Sequence, residues 1–124
     1  MPKILLVEDN QMNWEMLSLR LNRKGYDVKI ATDGLQGIDI AQKEIPDLIL
    51  MDMDLPKLDG WEATKRLKTI PLTKNIPVIA LTAHVVNGDR KRAIEAGCAE
   101  YEPKPINFKS LIAKIQQYLN QVDD

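Results

Sequence analysis

The sequence predicts an α/β fold in which helices cover both faces of a parallel β-sheet, and three observations support this prediction. Apolar runs of strand length alternate with longer helical patterns along the whole chain, as in repeated βα units. Three of these runs are almost continuously apolar, as expected for parallel strands covered on both faces. The chain has 124 residues and no linker, low-complexity stretch or internal repeat, so one domain over residues 1–124 is expected.

Five apolar runs are predicted to be strands: residues 3–8, 27–31, 47–51, 76–81 and 99–103. The second run alternates between apolar and polar residues, which favours a position at the sheet edge. Pro103 in the fifth run has no N–H to donate to a neighbouring strand, so this strand is also expected at an edge. Two edge strands around three buried ones give the strand order 2-1-3-4-5, a flavodoxin-like, doubly wound sheet of five βα units.

The first helix is predicted over residues 11–24. Leu17, Leu19 and Leu21 alternate as they would in a strand. The length of the segment and the stop at Gly25 nevertheless favour a helix.

The second helix is predicted over residues 34–44, with an apolar face of Leu35, Ile38 and Ala41. The third opens at Asp59-Gly60 and is expected to bury Ala63 and Leu67. The fourth, over residues 86–96, contains Gly88, which costs about 1 kcal/mol relative to alanine in a helix interior. It is therefore predicted to be the least stable helix and the most mobile. The fifth follows a cap at Asn107, and its apolar stripe is Phe108, Leu111, Ile112, Ile115 and Leu119.

The composition is that of an ordinary soluble globular protein, with 44% hydrophobic and 28% charged residues. The net charge is −1 and the one basic run is short, so neither nucleic acid nor an anionic membrane is an expected partner. No apolar run is long enough to span a membrane, and no signal peptide opens the chain. The single cysteine, Cys98, fits a reducing cytoplasm and is expected to be a small buried residue.

Polar residues follow four of the predicted strands at the point where each strand ends. Glu8-Asp9 follow the first run, Asp52 the third and Thr82 the fourth, while Lys104-Pro105 follow the fifth. The carboxyl ends of parallel strands share one edge of the sheet, where open α/β folds bind ligands. These side chains are therefore expected to meet in one shallow site.

Up to four carboxylates would lie at this edge: Glu8, Asp9, Asp52 and Asp54. Carboxylates so close together repel one another at neutral pH and need a counter-charge. Mg²⁺ is the expected cofactor, because it prefers hard oxygen ligands and retains several waters. A solvent-facing acid at the start of a loop is the simpler interpretation of any one of them alone. Two adjacent acids after one strand and another after a second strand favour the metal site.

Asp52 is the central residue of the hypothesis, because a carboxylate can carry a phosphoryl group as an acyl phosphate. Transfer builds negative charge on three oxygens, which the metal and the Lys104 ammonium would stabilise. The Thr82 hydroxyl is suited to bond a phosphoryl oxygen, and capping of the next helix is an equally good interpretation of this threonine. Pro105 predicts a rigid turn, compatible with a cis peptide bond, that fixes where Lys104 points.

In their order and spacing, these residues resemble the receiver domains of two-component response regulators, the CheY-like family, along the whole chain. The matching residues are the Glu8-Asp9 pair, Asp52 in MDMDLPKLDG, Thr82-Ala83 in ALTAH, and Lys104-Pro105 in EYEPKPI. The stretches VEDNQMN and GDRKRAIEAGCAEY are most similar to receivers of hybrid kinases and of stand-alone DivK-type regulators.

The resemblance implies a role for each residue of the site. Asp52 is the phosphoacceptor, Lys104 contacts the phosphoryl group, Thr82 is the switch hydroxyl and Tyr101 is the aromatic switch. The implied Mg²⁺ ligands are Asp9 and Asp52 directly, Glu8 through water, and the backbone carbonyl of Asp54.

Three further positions depart from the commonest pattern of the family. The side chains of Asp54 and His84 would border the phosphoryl group and influence how fast it is lost. An exposed position in the first turn of a helix is the favoured interpretation of His84. Pro103, directly before the lysine, is expected to stiffen the fifth strand.

The function that the resemblance implies is a phosphorylation-activated switch in a two-component phosphorelay, with no enzymatic activity beyond its own phosphorylation and dephosphorylation. A sensor histidine kinase or histidine phosphotransfer protein would donate the phosphoryl group, and a downstream protein target would receive the output. The chain is expected to be a complete, cytoplasmic, single-domain regulator and a monomer or weak dimer. Trp14, on the outer face of the first helix, is a candidate docking residue, and a surface position without special function explains it equally well.

Two alternatives come from other functional classes. A Mg²⁺-dependent Toprim-like nucleic-acid enzyme also places a glutamate after one strand and Asp-x-Asp after another, as in Glu8 and Asp52-Met53-Asp54. It leaves Thr82 and Lys104 unexplained, and the chain lacks a basic substrate surface. A phosphohydrolase with an Asp-x-Asp nucleophile would need a cap domain, for which the chain has no room.

Overall fold

Five parallel strands form one sheet in the order β2-β1-β3-β4-β5, so the predicted order is confirmed. The structure is a computed structural model, and it describes residues 1–83 and 89–120. The strands are β1 Lys3–Val7, β2 Asp27–Ala31, β3 Leu48–Asp52, β4 Val78–Thr82 and β5 Glu100–Pro103. The predicted ranges were right to within two residues at each end.

Five helices alternate with these strands in the described part of the chain: α1 Gln11–Arg23, α2 Gly34–Glu44, α3 Gly60–Leu67, α4 Asp89–Ala96 and α5 Phe108–Tyr118. Asn107 caps α5 as predicted, because its side chain accepts the Ser110 N–H. The predictions for His84, for Gly88 in the fourth helix and for the acidic chain end fall outside the described residues. None of the described helices combines the length and apolarity needed to cross a membrane.

Two apolar cores lie on opposite faces of the sheet, because successive strand residues point to opposite sides. On one face, α1 and α5 contribute Leu17, Leu21, Leu111, Ile112 and Ile115. On the other face, α2, α3 and α4 contribute Ala41, Ala63, Leu67, Ala93 and Ala96. The central strands β1, β3 and β4 supply buried residues to both cores, as their continuous apolar runs predicted.

Individual side chains both confirm and correct the predicted helix faces. In α1, Leu17 and Leu21 are buried while Leu19 is 52% exposed. In a strand all three would lie on one face, so their burial agrees with the predicted helix. In α2, the predicted inward position of Leu35 is wrong, since this side chain is 49% exposed. The close contact is made by Gly37, where an added Cβ would lie 3.1 Å from the Val7 methyl groups. A glycine permits that approach, and the hydrophobic pattern does not reveal it.

The β5 edge is closed by a buried acid and a lysine from α5. The Glu102 carboxylate is 2% exposed and accepts hydrogen bonds from Ser110 Oγ at 3.0 Å and Lys114 Nζ at 2.8 Å. Lys114 Nζ also donates to the Tyr101 carbonyl at 2.8 Å. A lysine over an open strand edge opposes pairing with another chain, and here it also fixes α5 against β5.

A close backbone approach fixes the start of α3 beneath the end of β3. Gly60 N–H donates to the Met53 carbonyl at 3.0 Å. A Cβ at Gly60 would lie 2.2 Å from the Asp52 carbonyl oxygen and 2.7 Å from Met53 Cα. Both neighbours are backbone atoms, so no rotation of a side chain relieves the overlap.

We expect Gly60→Ala to lower the free energy of unfolding by about 1–3 kcal/mol, as overpacked sites do, despite the higher helix propensity of alanine. Urea unfolding of the variant measures the effect. Gly37→Ala is the matched control, because its Cβ would meet only movable methyl groups, and it should cost less. A Gly60→Ala protein as stable as the unchanged one would contradict the assigned backbone contact.

Candidate functional site

Three carboxylates converge at the carboxyl edge of the sheet. One oxygen from each of Glu8, Asp9 and Asp52 lies within 4.8 Å of the others. Glu8 and Asp52 are buried, each with 2% exposure, while Asp9 is exposed. The β1 and β3 strands are neighbours in register, with Val7 beside Met51, so the residues that follow these two positions are brought together.

Both oxygens of the Asp52 carboxylate have a donor. Lys104 Nζ lies 3.0 Å from Oδ2, and the Asp54 N–H donates to Oδ1 at 3.0 Å. The first contact comes from beyond β5 and the second from the turn after β3. These two contacts hold the carboxylate in one orientation at the floor of the site, with one edge toward Asp9 and Glu8.

Thr82 and Lys104 are tied together at the ends of β4 and β5. The Lys104 N–H donates to the Thr82 carbonyl at 2.8 Å. Thr82 is buried, and it follows Leu81, the residue paired with Asp52. The Lys104–Pro105 peptide bond is cis. Of the predicted residues, Lys104 therefore touches Asp52 directly and Thr82 lies on the adjacent strand, one residue past the Asp52 pairing partner.

Glu8 makes more polar contacts than its position in the sequence indicated. Its Oε2 accepts the Asn10 N–H at 3.2 Å, and its Oε1 accepts Asn13 Nδ2 at 3.2 Å. Lys104 Nζ is also 3.9 Å from Oε1. Burial raises the pKa of the Glu8 carboxyl to about 7, and the adjacent Asp52 carboxyl adds to this increase. The Asn10 N–H and the Lys104 ammonium act in the opposite direction.

Tyr101 occupies the strand between the site and α5. It is half-buried and packs against the core on the α2–α3–α4 face. Lys114 Nζ lies 5.6 Å from the centre of the Tyr101 ring, within the range of a cation–π contact. The backbone of Tyr101 is thus held by pairing with β4 and by Lys114, and its ring packs against the core to which α4 contributes Ala93 and Ala96.

Several contacts of the site were not anticipated from the sequence. Asn10 and Asn13 donate to Glu8, and Gly60 approaches the backbone of Asp52. The signal for the contacts of Asn10 and Asn13 was their Asn-x-x-Asn spacing directly after the acidic pair. This spacing places the N-cap residue and the third residue of α1 beside Glu8. The Asp54 side chain is exposed, and its backbone N–H donates to Asp52.

The donor set fits a hard divalent cation. Three carboxylate groups supply oxygen atoms that lie within 4.8 Å of one another, close enough to bind one ion. Mg²⁺ prefers such oxygen ligands and retains several waters, which the exposed side of the cluster at Asp9 would admit. Lys104 compensates part of this negative charge, through its contacts with Asp52 and Glu8.

Known proteins match this chain over almost its full length. Residues 4–116 match the family model described as response regulator receiver domain. The polar-differentiation response regulator DivK of Brucella anthropi is 41% identical over 120 residues, covering 96% of this chain and 98% of the relative.

Solved structures give the same result. The receiver domain of a sensor histidine kinase from Pseudomonas aeruginosa, described with a magnesium ion in its active-site cleft, has a TM-score of 0.89 and 37% identity, with 97% and 98% of the two chains covered. The chemotaxis response regulator CheY4 of Vibrio cholerae has a TM-score of 0.89 and 29% identity, with 95% and 98% covered. Nothing in these comparisons supports the Toprim-like enzyme or the phosphohydrolase.

The raised pKa of Glu8 predicts how stability depends on pH in the absence of divalent ions. Between pH 4.5 and about 7 the folded protein retains a proton on Glu8 that the unfolded chain has lost. The free energy of unfolding therefore falls as the pH rises through this window. This fall should amount to about 1–3 kcal/mol, and Glu8→Gln should remove it. Urea unfolding at several pH values between 4.5 and 7 measures the difference.

Glu15→Gln, at an exposed glutamate of α1, is the matched control and should leave the pH profile unchanged. Parallel profiles for the unchanged protein and Glu8→Gln between pH 4.5 and 7 would contradict the raised pKa.

Proposed function

The chain belongs to the response regulator receiver domain family, and from this membership we propose that Asp52 is its phosphoacceptor. Receiver domains are switches of two-component signalling rather than enzymes that convert a separate substrate, and this chain is such a receiver, similar to DivK. We further propose that residues 1–124 form one receiver domain that acts in the cytoplasm. The single observation that carries the site assignment is the buried Asp52 carboxylate at the end of β3, held by Lys104 beside Glu8 and Asp9.

In the proposed reaction, an Asp52 oxygen attacks the phosphorus of a phosphohistidine on a sensor histidine kinase or phosphotransfer protein. The P–N bond breaks as the P–O bond forms, and the electron pair returns to the imidazole nitrogen of the donor. The Asp54 N–H and Lys104 fix the orientation of the carboxylate before attack. Because the nucleophile is already oriented, less ordering is required during transfer.

Glu8, Asp9 and Asp52 are the residues that would hold Mg²⁺, with the Asp54 carbonyl as a further ligand implied by the family. When bound, the ion neutralises negative charge on the phosphoryl oxygens. The Lys104 ammonium supplies a second positive charge from the β5 side of the site. Thr82 is proposed to bond a phosphoryl oxygen through its hydroxyl, since its strand ends beside Asp52.

The output is proposed to be a shift between two conformations of the surface that includes α4, β5 and α5. A phosphoryl group on Asp52 favours whichever conformation gives it better contacts. Thr82 is the residue that would respond first, and the Tyr101 ring, which packs against the core on the α2–α3–α4 face, would respond to it. A protein target that binds this surface would then distinguish the two states.

Docking of the phosphodonor is proposed on the exposed face of α1 beside the site. Exposed apolar side chains on this helix are Met12, Met16 and Leu19. A cavity of about 250 Å³ extends from Glu8 and Lys104 to Met16 and Ile106. Trp14 is half-buried and packs against the core on the α1–α5 face, so its predicted position on the outer face of α1 is wrong, and only part of its side chain is available to a partner. Clustered exposed apolar residues are typical of protein-binding sites.

Phosphorylation of Asp52 can be tested with a small phosphodonor such as acetyl phosphate. Intact-mass measurement should show one added phosphoryl group in the presence of Mg²⁺, and none on Asp52→Asn or without metal. Asp54→Asn makes the same chemical change two residues away, at an exposed side chain, and should still accept one group. Full labelling of Asp52→Asn would contradict the assigned acceptor.

The same preparation distinguishes the two alternative functions. Nicking of supercoiled DNA with Mg²⁺ would favour the Toprim-like enzyme, and repeated turnover of a phosphate ester would favour the phosphohydrolase. The proposed function predicts neither, because its phosphodonors are a phosphohistidine or an acyl phosphate, and neither DNA nor a phosphate ester is such a donor.

Trp14→Ala is expected to slow phosphotransfer from the cognate protein donor by about tenfold, which corresponds to about 1.4 kcal/mol for an aromatic contact at an interface. Phosphorylation by the small phosphodonor is the internal control and should stay unchanged, since it needs no docking. An unchanged rate with the protein donor would remove Trp14 from the proposed interface.

A further inference from the structure

Asn10 and Asn13 build the first turn of α1 around Glu8. Asn10 is the N-cap residue, and its side-chain oxygen accepts the Asn13 N–H at 3.0 Å. In a common capping arrangement, the side chain of the third helical residue reaches back and accepts the N–H of the cap residue. Asn13 is that third residue, but its amide donates to Glu8 Oε1 instead, at 3.2 Å.

Glu8 takes over the acceptor role that Asn13 leaves open. The Asn10 N–H donates to Glu8 Oε2 at 3.2 Å. The Glu8 carboxylate thus accepts one donor on each oxygen, and both donors belong to the beginning of α1. An unfilled N–H at a helix start would otherwise need water or another acceptor. The acid that lies in the carboxylate cluster also completes the cap of the helix.

We propose that Asn13 is a positioning residue for the metal site, acting on Mg²⁺ through Glu8. This inference rests on the proposed function, because it assumes that Glu8, Asp9 and Asp52 hold the ion. An amide is suited to the task because its NH₂ group donates to an anionic carboxylate without adding charge. Partners that orient a ligating carboxylate typically change metal affinity by about 10–100-fold when they are removed.

The described contacts place the Asn13 side chain against Glu8 and not against Asp52. The described contacts of the Asn13 side chain and main chain are with Glu8, Asn10 and its own helix, whereas Asp52 is held by Lys104 and Asp54. Without the Asn13 donor, Glu8 Oε1 retains Lys104, 3.9 Å away, and the carboxyl group keeps its interaction with the adjacent Asp52. The carboxylate would then lose one of the two fixed contacts that orient it relative to Asp9.

The test is the Mg²⁺ dissociation constant, measured by calorimetry with the full chain. Asn13→Ala should weaken Mg²⁺ binding about tenfold, and Asn13→Gln, which keeps the amide donor on a longer side chain, should restore part of the affinity. Asn22→Ala, at an exposed residue of the same helix, is the matched control and should bind Mg²⁺ as the unchanged protein does. Circular dichroism and urea unfolding without metal verify that each variant is folded.

A second measurement separates positioning from a general effect on the helix. With the small phosphodonor, the Mg²⁺ concentration for half-maximal labelling of Asp52 should rise by the same factor in Asn13→Ala, while the rate at saturating Mg²⁺ should stay unchanged. Equal Mg²⁺ affinity in Asn13→Ala and the unchanged protein would overturn the inference and leave Asp52 as phosphoacceptor. Equal weakening by Asn22→Ala would also overturn it, and failure of the unchanged protein to bind Mg²⁺ would overturn both proposals.

Discussion

The structure depends most on the close approach of three carboxylates at one edge of the sheet. Glu8 and Asp52 are buried, and their oxygens lie with one from Asp9 within 4.8 Å. Such a cluster is unfavourable unless cations and N–H donors surround it. The described donors are Lys104, the side-chain amide of Asn13 and the backbone N–H groups of Asn10 and Asp54. The same repulsion between carboxylates favours the binding of a divalent ion. The charge that destabilises this edge of the sheet is therefore also what suits it to hold Mg²⁺.

Lys104 compensates this charge only if β5 is held in its place. Its own N–H bonds to the Thr82 carbonyl, and the strand is anchored to α5 through Glu102 and Lys114. Removing one partner of a buried ion pair typically costs about 3–5 kcal/mol, because the other charge is left uncompensated. Exposed pairs such as Lys43–Asp39 contribute about 0–1 kcal/mol. The pairs that matter therefore lie at the site, where Lys104 holds Asp52 from a position 52 residues later in the chain, and at the β5 edge, where Lys114 joins α5 to Glu102.

The sequence predicted those parts of the molecule that depend on periodicity and on strand ends. The continuous apolar runs identified β1, β3 and β4, and Pro103 correctly placed β5 at an edge. Since parallel strands share a carboxyl edge, Asp52 and Lys104 were expected to meet, and their atoms lie 3.0 Å apart. Contacts that depend on side-chain rotamers or close backbone approach were not predictable. Leu35 was assigned inward because its spacing from Ile38 and Ala41 is helical. In the structure, the buried residues of α2 are Gly34, Gly37 and Ala41.

The geometry constrains how a change at Asp52 reaches the α4 side of the protein. A phosphoryl group adds negative charge where Lys104 is already shared between Asp52 and Glu8, so the group competes for the same ammonium. The backbone link between Lys104 and Thr82 joins the ends of β4 and β5, and pairing keeps both strands in register. Large strand movements would break this link as well as the Glu102–Lys114 pair. For the proposed switch, the least costly response would be a rearrangement of side chains, in which the Thr82 hydroxyl and the Tyr101 ring would move between positions on a sheet that stays in place.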